Sequence, residues 1–379
     1  MNQLTSLKIA LIHDYLFEYG GAERVLEAIH EIWPKARLYT AFVDWAWVRK
    51  NKKSWLRWSI KESWFSRVPA HKQLCSPLRF LAPWIWENFD LRAYDLVISS
   101  SAWFICKGVI VHPGALHFCY CHTPPRYLYG YPESGRQNCL TRFYGRLVNP
   151  FMRRYDFLTS KRVDYFICNS RNVQQRIKKF YQREAKVIYP PVTITKPPLK
   201  TQKPKIDYYL MVNRLVGPKR VDLAIEACKK LALNLKIVGE GKAESALKAL
   251  ASSDPHIEFL GYLDDQQLAA LYQNCRAVLY LAEEEDFGIT PVEAMSFGKP
   301  VIALRSGGIT ESVVDGKTGF FIERPNLDEL IEALKKFNLN FSKIKPAACL
   351  RQAQKFSKER FKKELVSFVA SKIHQLEAK

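Results

Sequence analysis

The feature that most constrains this chain is a strand, an acidic turn and a helix start in unbroken succession between Ala277 and Met295. Ala277-Val278-Leu279-Tyr280-Leu281 is an apolar run of strand length and reads as a buried strand. Glu283-Glu284-Glu285-Asp286 follows, then Phe287-Gly288-Ile289. Thr290 reads as the N-cap of a helix, Pro291 as its first residue and Glu293 as the third position of a capping box. Gly298 and Pro300 stop that helix. In an open parallel sheet such a turn lies beyond the carboxyl ends of the strands, where ligands bind. A helix start there offers unpaired N–H groups and the positive end of a dipole to a phosphate. Four acids beside an anion site need partners of their own, such as sugar or ribose hydroxyls.

The same order recurs along the chain. Leu7 to Ile12 reads as a first strand and His13 to Tyr19 as its loop, and Gly20-Gly21-Ala22-Glu23 opens a helix to about Ile32. The glycine pair lets backbone approach a ligand closely, or serves a plain strand-to-helix turn. Further strands are expected at 94–99, 115–121 and 163–170. The second of these ends at His122-Thr123-Pro124-Pro125, which places a histidine at a strand end. A Pro/Lys-rich stretch from Pro190 to Lys205 reads as a linker, with the boundary near Thr193. Beyond it come strands at 208–212, 235–238, 257–260, 301–304 and 320–322. Gly307-Gly308 reads as a second phosphate-side turn, and the segment from Phe356 to about Gln375 is helical by period.

A length of 379 residues suffices for two domains, each with its own core. No apolar run has transmembrane length, the N-terminus lacks the pattern of a signal peptide, and the nine cysteines lack metal-site spacing. Reduced thiols in the cytoplasm are the expectation. Of the net charge of +21, +16 falls within residues 1–199, which points to an anionic partner. Within 45–92 seven tryptophans alternate with lysine and arginine: Trp45, Trp47, Trp55, Trp58, Trp64, Trp84 and Trp86. Either the tryptophans form a core with lysines in water, or the stretch docks on an anionic membrane. Stacking on single-stranded nucleic acid is a third reading, and no nucleic-acid motif accompanies it.

Glu285 and Glu293, with seven residues between them, resemble the E-x7-E signature of the family 4 retaining glycosyltransferases. The fuller string from Ala282 to Ala294 is similar to bacterial mannosyltransferases that build O-antigens and exopolysaccharides. The resemblance implies an α/β fold with two Rossmann-like domains facing each other across a cleft, the GT-B architecture. Residues 1–192 would bind the acceptor and 193–355 the nucleotide-sugar donor, with 356–379 a helix packing back on the first domain. Arg214 and Lys219 match the family's paired cations for the donor pyrophosphate, and Arg220 stands where the family usually has glycine. Gly20, Gly21, Phe287, Gly288 and Ile289 fall on donor-binding positions. Glu293 would take the ribose, and Asp265 the base unless it caps the helix starting at Gln266. Catalytic candidates are His122, near the reacting centre, and Glu285, orienting the donor sugar.

The reaction so implied moves a sugar from a nucleoside diphosphate to a saccharide or lipid-linked saccharide. GDP-mannose is the donor expected from the subgroup, a UDP-sugar the alternative. No Asp-x-Asp motif is present, so no obligatory metal or other cofactor is expected. Retention is open to a carboxylate nucleophile or to same-face return with the leaving phosphate as base. The implied setting is the cytoplasm, peripheral on the inner face of an anionic membrane, without nucleic acid. Two other classes remain: an NAD-dependent Rossmann enzyme, disfavoured because no G-x-G-x-x-G follows a strand, and a non-catalytic membrane- or nucleic-acid-binding protein with a degenerate transferase fold.

Overall fold

The computed structural model describes residues 7–132, 139–194 and 207–377. The chain divides into two compact units. The described residues of Met1–Tyr131, Gln137–Pro191 and Glu359–Lys379 form the first, and those of Val192–Lys358 the second.

The first unit holds seven strands: β1 (Ile9–His13), β2 (Arg37–Thr40), β3 (Ile60–Glu62), β4 (Leu96–Ser101), β5 (Leu116–Cys121), β6 (Tyr165–Cys168) and β7 (Ala185–Val187). They lie in the order β3-β2-β1-β4-β5-β6-β7, and every neighbouring pair is parallel. β1 and β4 are buried at every position, as strands covered on both faces must be. The order reverses between β1 and β4, so the loops after these strands diverge and leave a crevice.

The second unit repeats the plan with six strands: β8 (Tyr209–Val212), β9 (Leu235–Val238), β10 (Ile257–Gly261), β11 (Ala277–Tyr280), β12 (Val301–Leu304) and β13 (Gly319–Ile322). Their order is β10-β9-β8-β11-β12-β13, again all parallel. The switch point falls between β8 and β11, the strands that feed the basic and the acidic loops.

The last helix, Lys358–Glu377, supplies core to the first unit. Phe361, Leu365 and Val369 are fully buried in the cluster that also holds Leu11, Val25, Leu38 and Ile98. Burying such side chains contributes about 1.5–3 kcal/mol each. The Phe361 ring meets Tyr120 at 5.9 Å, Lys362 pairs with Glu31 at 2.6 Å, and Arg360 Nη2 donates to Tyr189 O at 2.6 Å.

The tryptophan-rich stretch is chiefly core. Trp55 and Trp86 are fully buried, and their indole N–H groups donate to Glu27 and to Phe104 O. Trp45, Trp47 and Trp58 pack half-buried on the same cluster as the last helix. Trp64 and Trp84 are exposed. Among the described residues no helix is long and apolar enough to cross a membrane.

Candidate functional site

In the second unit the loop after β8 runs through Asn213–Val216 into one 3-10 turn, Gly217–Lys219. The loop after β11 leads into the helix Ile289–Ser296. The two are fastened together at three points. The Glu283 N–H donates to Pro218 O at 2.9 Å, Arg220 Nη1 donates to Glu283 Oε1 at 3.1 Å, and Lys219 Nζ donates to Glu285 Oε2. The basic and acidic motifs of the sequence are therefore one structure, in which the acids already hold the cations in place.

Arg220 adopts φ +49°, a left-handed conformation that disfavours any side chain with a Cβ by about 1–2 kcal/mol. A glycine, which the family resemblance leads one to expect at this position, would adopt that conformation freely. The guanidinium is held in return by Asp222 at 3.0 Å, by Glu283 and by Pro325 O at 3.1 Å. Burial works against its charge, but Asp222 and Glu283 outweigh it and hold the group above its ordinary pKa.

Gly307 and Gly308 grip the other side of the acidic turn. The Gly308 N–H donates to Glu285 O at 2.7 Å, and the Ser306 hydroxyl accepts from the Glu284 N–H at 2.9 Å. A Cβ on Gly308 would lie 2.2 Å from Asp286 O, and one on Gly307 2.2 Å from Glu285 O. The pair is thus required by backbone contact with the acidic turn, a role the phosphate-turn reading did not include.

The helix start corrects the capping assignment. Gly288 is the N-cap, at φ +82°, and no side chain caps the helix. Glycine reaches that conformation freely, so the helix begins two residues earlier than a Thr290 cap would set it. Thr290 Oγ1 instead donates to Val212 O at 3.4 Å, and Glu293 Oε2 accepts from the Tyr272 hydroxyl at 3.1 Å. Two consequences follow for the chemistry. A glycine N-cap puts no side chain of its own on the first-turn N–H groups, which suits an anion site. Glu293 is also spared the capping role that competed with ligand binding.

Phe287 is buried, its ring 5.3 Å from Phe356, so its side chain anchors the turn to the core. Asp265 is exposed and is the first residue of the helix Asp265–Asn274. Asp264, not Asp265, is the cap: it accepts from the Gln267 N–H at 2.8 Å, and Gln267 Oε1 accepts from its N–H at 3.1 Å. Arg214 is exposed in the loop after β8.

The first unit carries a separate polar cluster at its own switch point. Gly20 caps the helix Gly21–Ile32, and its N–H donates to Glu23 Oε2 at 2.7 Å. Glu23 Oε1 lies 3.4 Å from His13 Nε2. His13 Nδ1 stands 3.1 Å from both the carbonyl and the hydroxyl of Ser100, and Ser100 Oγ lies 2.8 Å from His122 Nε2. A carbonyl only accepts, so the Nδ1 proton of His13 sits there. The Ser100 hydroxyl proton is then directed at His122 Nε2, which leaves the His122 proton on Nδ1. Burial, then the His13 nearby, lowers the His122 pKa to about 3, with Glu23 opposing. His122 is therefore a neutral imidazole at neutral pH. Burial raises the Glu23 carboxyl, but the His13 contact and the Gly20 N–H outweigh it and hold the pKa below its usual value. Asp14 accepts from the N–H groups of Ala102, Phe104 and Cys106 at 2.9, 3.0 and 3.0 Å and so ties the loop after β4.

Arg214, Lys219, Glu285, Gly288, Ile289 and Glu293 thus gather about the β8–β11 switch point. Asp265 lies after β10, two strands from β8. Gly20, Gly21 and His122 belong to the first unit. Sequence reasoning missed Tyr272, Arg220, Ser100, His13 and Glu23 as supports. The only signal for His13 and Ser100 was their place at the ends of β1 and β4, and for Glu23 its place in the first turn of the helix after the glycine pair.

Comparison with known proteins agrees with this geometry. The profile described as Glycosyltransferase Family 4 matches residues 19–196, and that described as Glycosyl transferases group 1 matches residues 195–356. The chain is 28% identical to the alpha-1,3/1,6-mannosyltransferase ALG2 of Mus musculus, over 92% of this chain and 93% of that protein. It is 30% identical to an uncharacterized glycosyltransferase of Methanocaldococcus jannaschii over 50% of this chain, a match that spans about half of that protein, 54%. The crystal structure of Anabaena HepE in complex with UDP-glucose superposes with a TM-score of 0.71 at 19% identity, covering 96% of this chain and 100% of the other. That likeness shows the fold.

Proposed function

The chain belongs to the family 4 glycosyltransferases, with two Rossmann-like domains of the GT-B type, and on that premise we propose that it transfers mannose from GDP-mannose to a lipid-linked saccharide. The observation that carries the reading is the clamp at the second switch point, where Lys219 holds Glu285, Arg220 holds Glu283, and Glu293 takes no part in the helix cap. The mannose assignment draws support from the ALG2 match, which runs nearly the full length of both proteins. A UDP-sugar is the second reading, since HepE was solved with UDP-glucose.

The difficult step is departure of a diphosphate from an oxocarbenium-like sugar. Arg214, Lys219 and the uncapped helix start supply positive potential where that charge develops, fixed in advance by the acidic loop. We assign this role to the protein's own cations, and no divalent metal is invoked. Glu285, held by Lys219, orients the sugar hydroxyls, and Glu293 accepts from the ribose. Neutral His122 offers its Nδ1 proton as a hydrogen-bond donor to a sugar oxygen. A lipid-linked acceptor implies work at a membrane surface.

A thermal-shift screen against GDP, UDP and ADP and their sugars, with and without EDTA, tests the proposal, because a ligand of the folded state raises apparent stability. Stabilisation by GDP-mannose that EDTA leaves intact supports it. Stabilisation by UDP-sugars alone transfers the assignment to the second reading, and no response to any sugar nucleotide refutes both.

A further inference from the structure

The helix Cys139–Ser160 is the longest in the first unit, and it leaves one apolar face uncovered. Leu140, Phe143, Leu147 and Phe151 are 78%, 63%, 66% and 48% exposed, and Leu158 continues the row at 45%. Spacings of three, four, four and seven residues put all five on one stripe. The buried side, Met152, Tyr155, Asp156 and Thr159, lies on another face. Packing within the unit therefore does not explain the stripe.

The exposed charge on the helix itself is of one sign. Arg142, Arg146, Arg153 and Arg154 are exposed on the same helix. Its one acid, Asp156, is buried and paired with Lys107. Just past its end come Lys161 and Arg162, both exposed. The neighbouring segment carries further exposed aromatic side chains. Arg79 Nη2 bonds Asn149 Oδ1 at 2.9 Å, and Arg162 bonds Glu87 at 2.6 Å. Between Arg79 and Glu87 lies the exposed Trp84, whose carbonyl accepts from the indole of the exposed Trp64.

We propose that this helix face docks the enzyme on an anionic lipid surface. Leucine and phenylalanine enter the acyl boundary, arginines meet the headgroups, and tryptophan favours the interface. A protein partner would be met by a row of mixed or acid-matched charges, whereas four exposed arginines on a helix with no exposed acid of its own suit a uniformly negative surface. The inference extends the lipid-linked-acceptor reading, but it rests on the helix and not on the donor site.

The test is co-sedimentation of the full chain with vesicles of phosphatidylcholine alone or with about one-third phosphatidylglycerol. Two double variants accompany it, Phe143→Ser with Leu147→Ser and Arg142→Glu with Arg146→Glu. The parent should partition onto the anionic vesicles and release as salt rises, and each double variant should lose about tenfold or more in partitioning. All four positions are exposed, so melting of the variants should match the parent. A parent that ignores anionic vesicles, or variants that bind them as the parent does, overturns the proposal. Light scattering that shows a dimer broken by Phe143→Ser with Leu147→Ser, with no vesicle binding, assigns the face to a second copy and also overturns it. GDP-mannose binding is measured in parallel. Vesicle binding without nucleotide binding sinks the proposed activity and leaves the docking face standing.

Discussion

The substitution Glu293→Gln separates ligand binding from structure because the helix cap lies elsewhere. Gly288 starts the helix with no side-chain help. Glutamine in place of Glu293 therefore perturbs the fold chiefly through the Tyr272 hydroxyl, which donates to Glu293 Oε2 at 3.1 Å. Hydrogen bonds to charged groups contribute about 1.5–3 kcal/mol and neutral ones about 0.5–1.5. The exchange therefore costs about 1 kcal/mol, or about 2–4 °C in melting of a unit this size. If Glu293 accepts both ribose hydroxyls, binding loses about 1 kcal/mol for each, a weakening of about tenfold to thirtyfold. Calorimetry with GDP beside a melting curve reads both quantities. Tyr272→Phe serves as the control, since it removes the phenol and keeps the carboxylate. It should lower melting as much as Glu293→Gln does while costing little affinity. Glu293→Gln protein that binds GDP as tightly as the parent while melting earlier would refute the ribose assignment and leave Glu293 as a tether for Tyr272.

Three further outcomes follow from the geometry. Lys219→Met and Arg214→Ala should each lower kcat and kcat/KM together, by about a hundredfold, as loss of a transition-state contact does, and steady-state kinetics with the donor reads the split. Gly308→Ala forces a Cβ to 2.2 Å from Asp286 O, so the acidic turn must shift; a lower melting temperature with lost nucleotide response is expected, and wild-type behaviour in both denies the backbone grip. His117 and His122 have folded pKa values of about 3, burial being the first cause of each, aided by Lys107 and by His13 respectively. The unfolded chain binds protons near pH 6.5 and the folded one does not, so their stabilisation is complete above about pH 6.5 and falls as pH drops toward 3. Near pH 4.5 each should have lost on the order of 2–3 kcal/mol, and the pH dependence of denaturant unfolding, flattened in His117→Gln, checks it.

Much of the donor-type site is legible because its residues cluster in short strings. The strand before Glu283 and the glycine just before Thr290 mark a turn at the carboxyl end of a strand, and both basic positions lie in the loop after another strand. What the strings conceal is conformation and distant partners. A capping-box pattern at Thr290 and Glu293 is satisfied by composition, yet a left-handed Gly288 starts the helix first. Tyr272 is 21 residues from the Glu293 it holds, and nothing local joins them. The tryptophans of 45–92 alternate with lysines as an interfacial segment does, but five of the seven pack into the core, because short helices and turns bring them to one side. The apolar row of Cys139–Ser160 has the period of a core helix, and only the three-dimensional packing shows that this face is exposed.

The first unit is split in sequence, since its final helix follows the whole of the second. During synthesis the ribosome thus emits β1 to β7, then the complete second unit, and only then Phe361, Leu365 and Val369. Until those three arrive, the apolar surface that will cover them is open to water in a nascent chain. The second unit lies almost wholly between Val192 and Lys358 and can close first. The earlier-made half is thus the later to finish, and the interval is one in which chaperones would have an exposed core to bind. Nonsense mutations as late as codon 358 would leave the nucleotide clamp intact on a chain whose other half lacks part of its core.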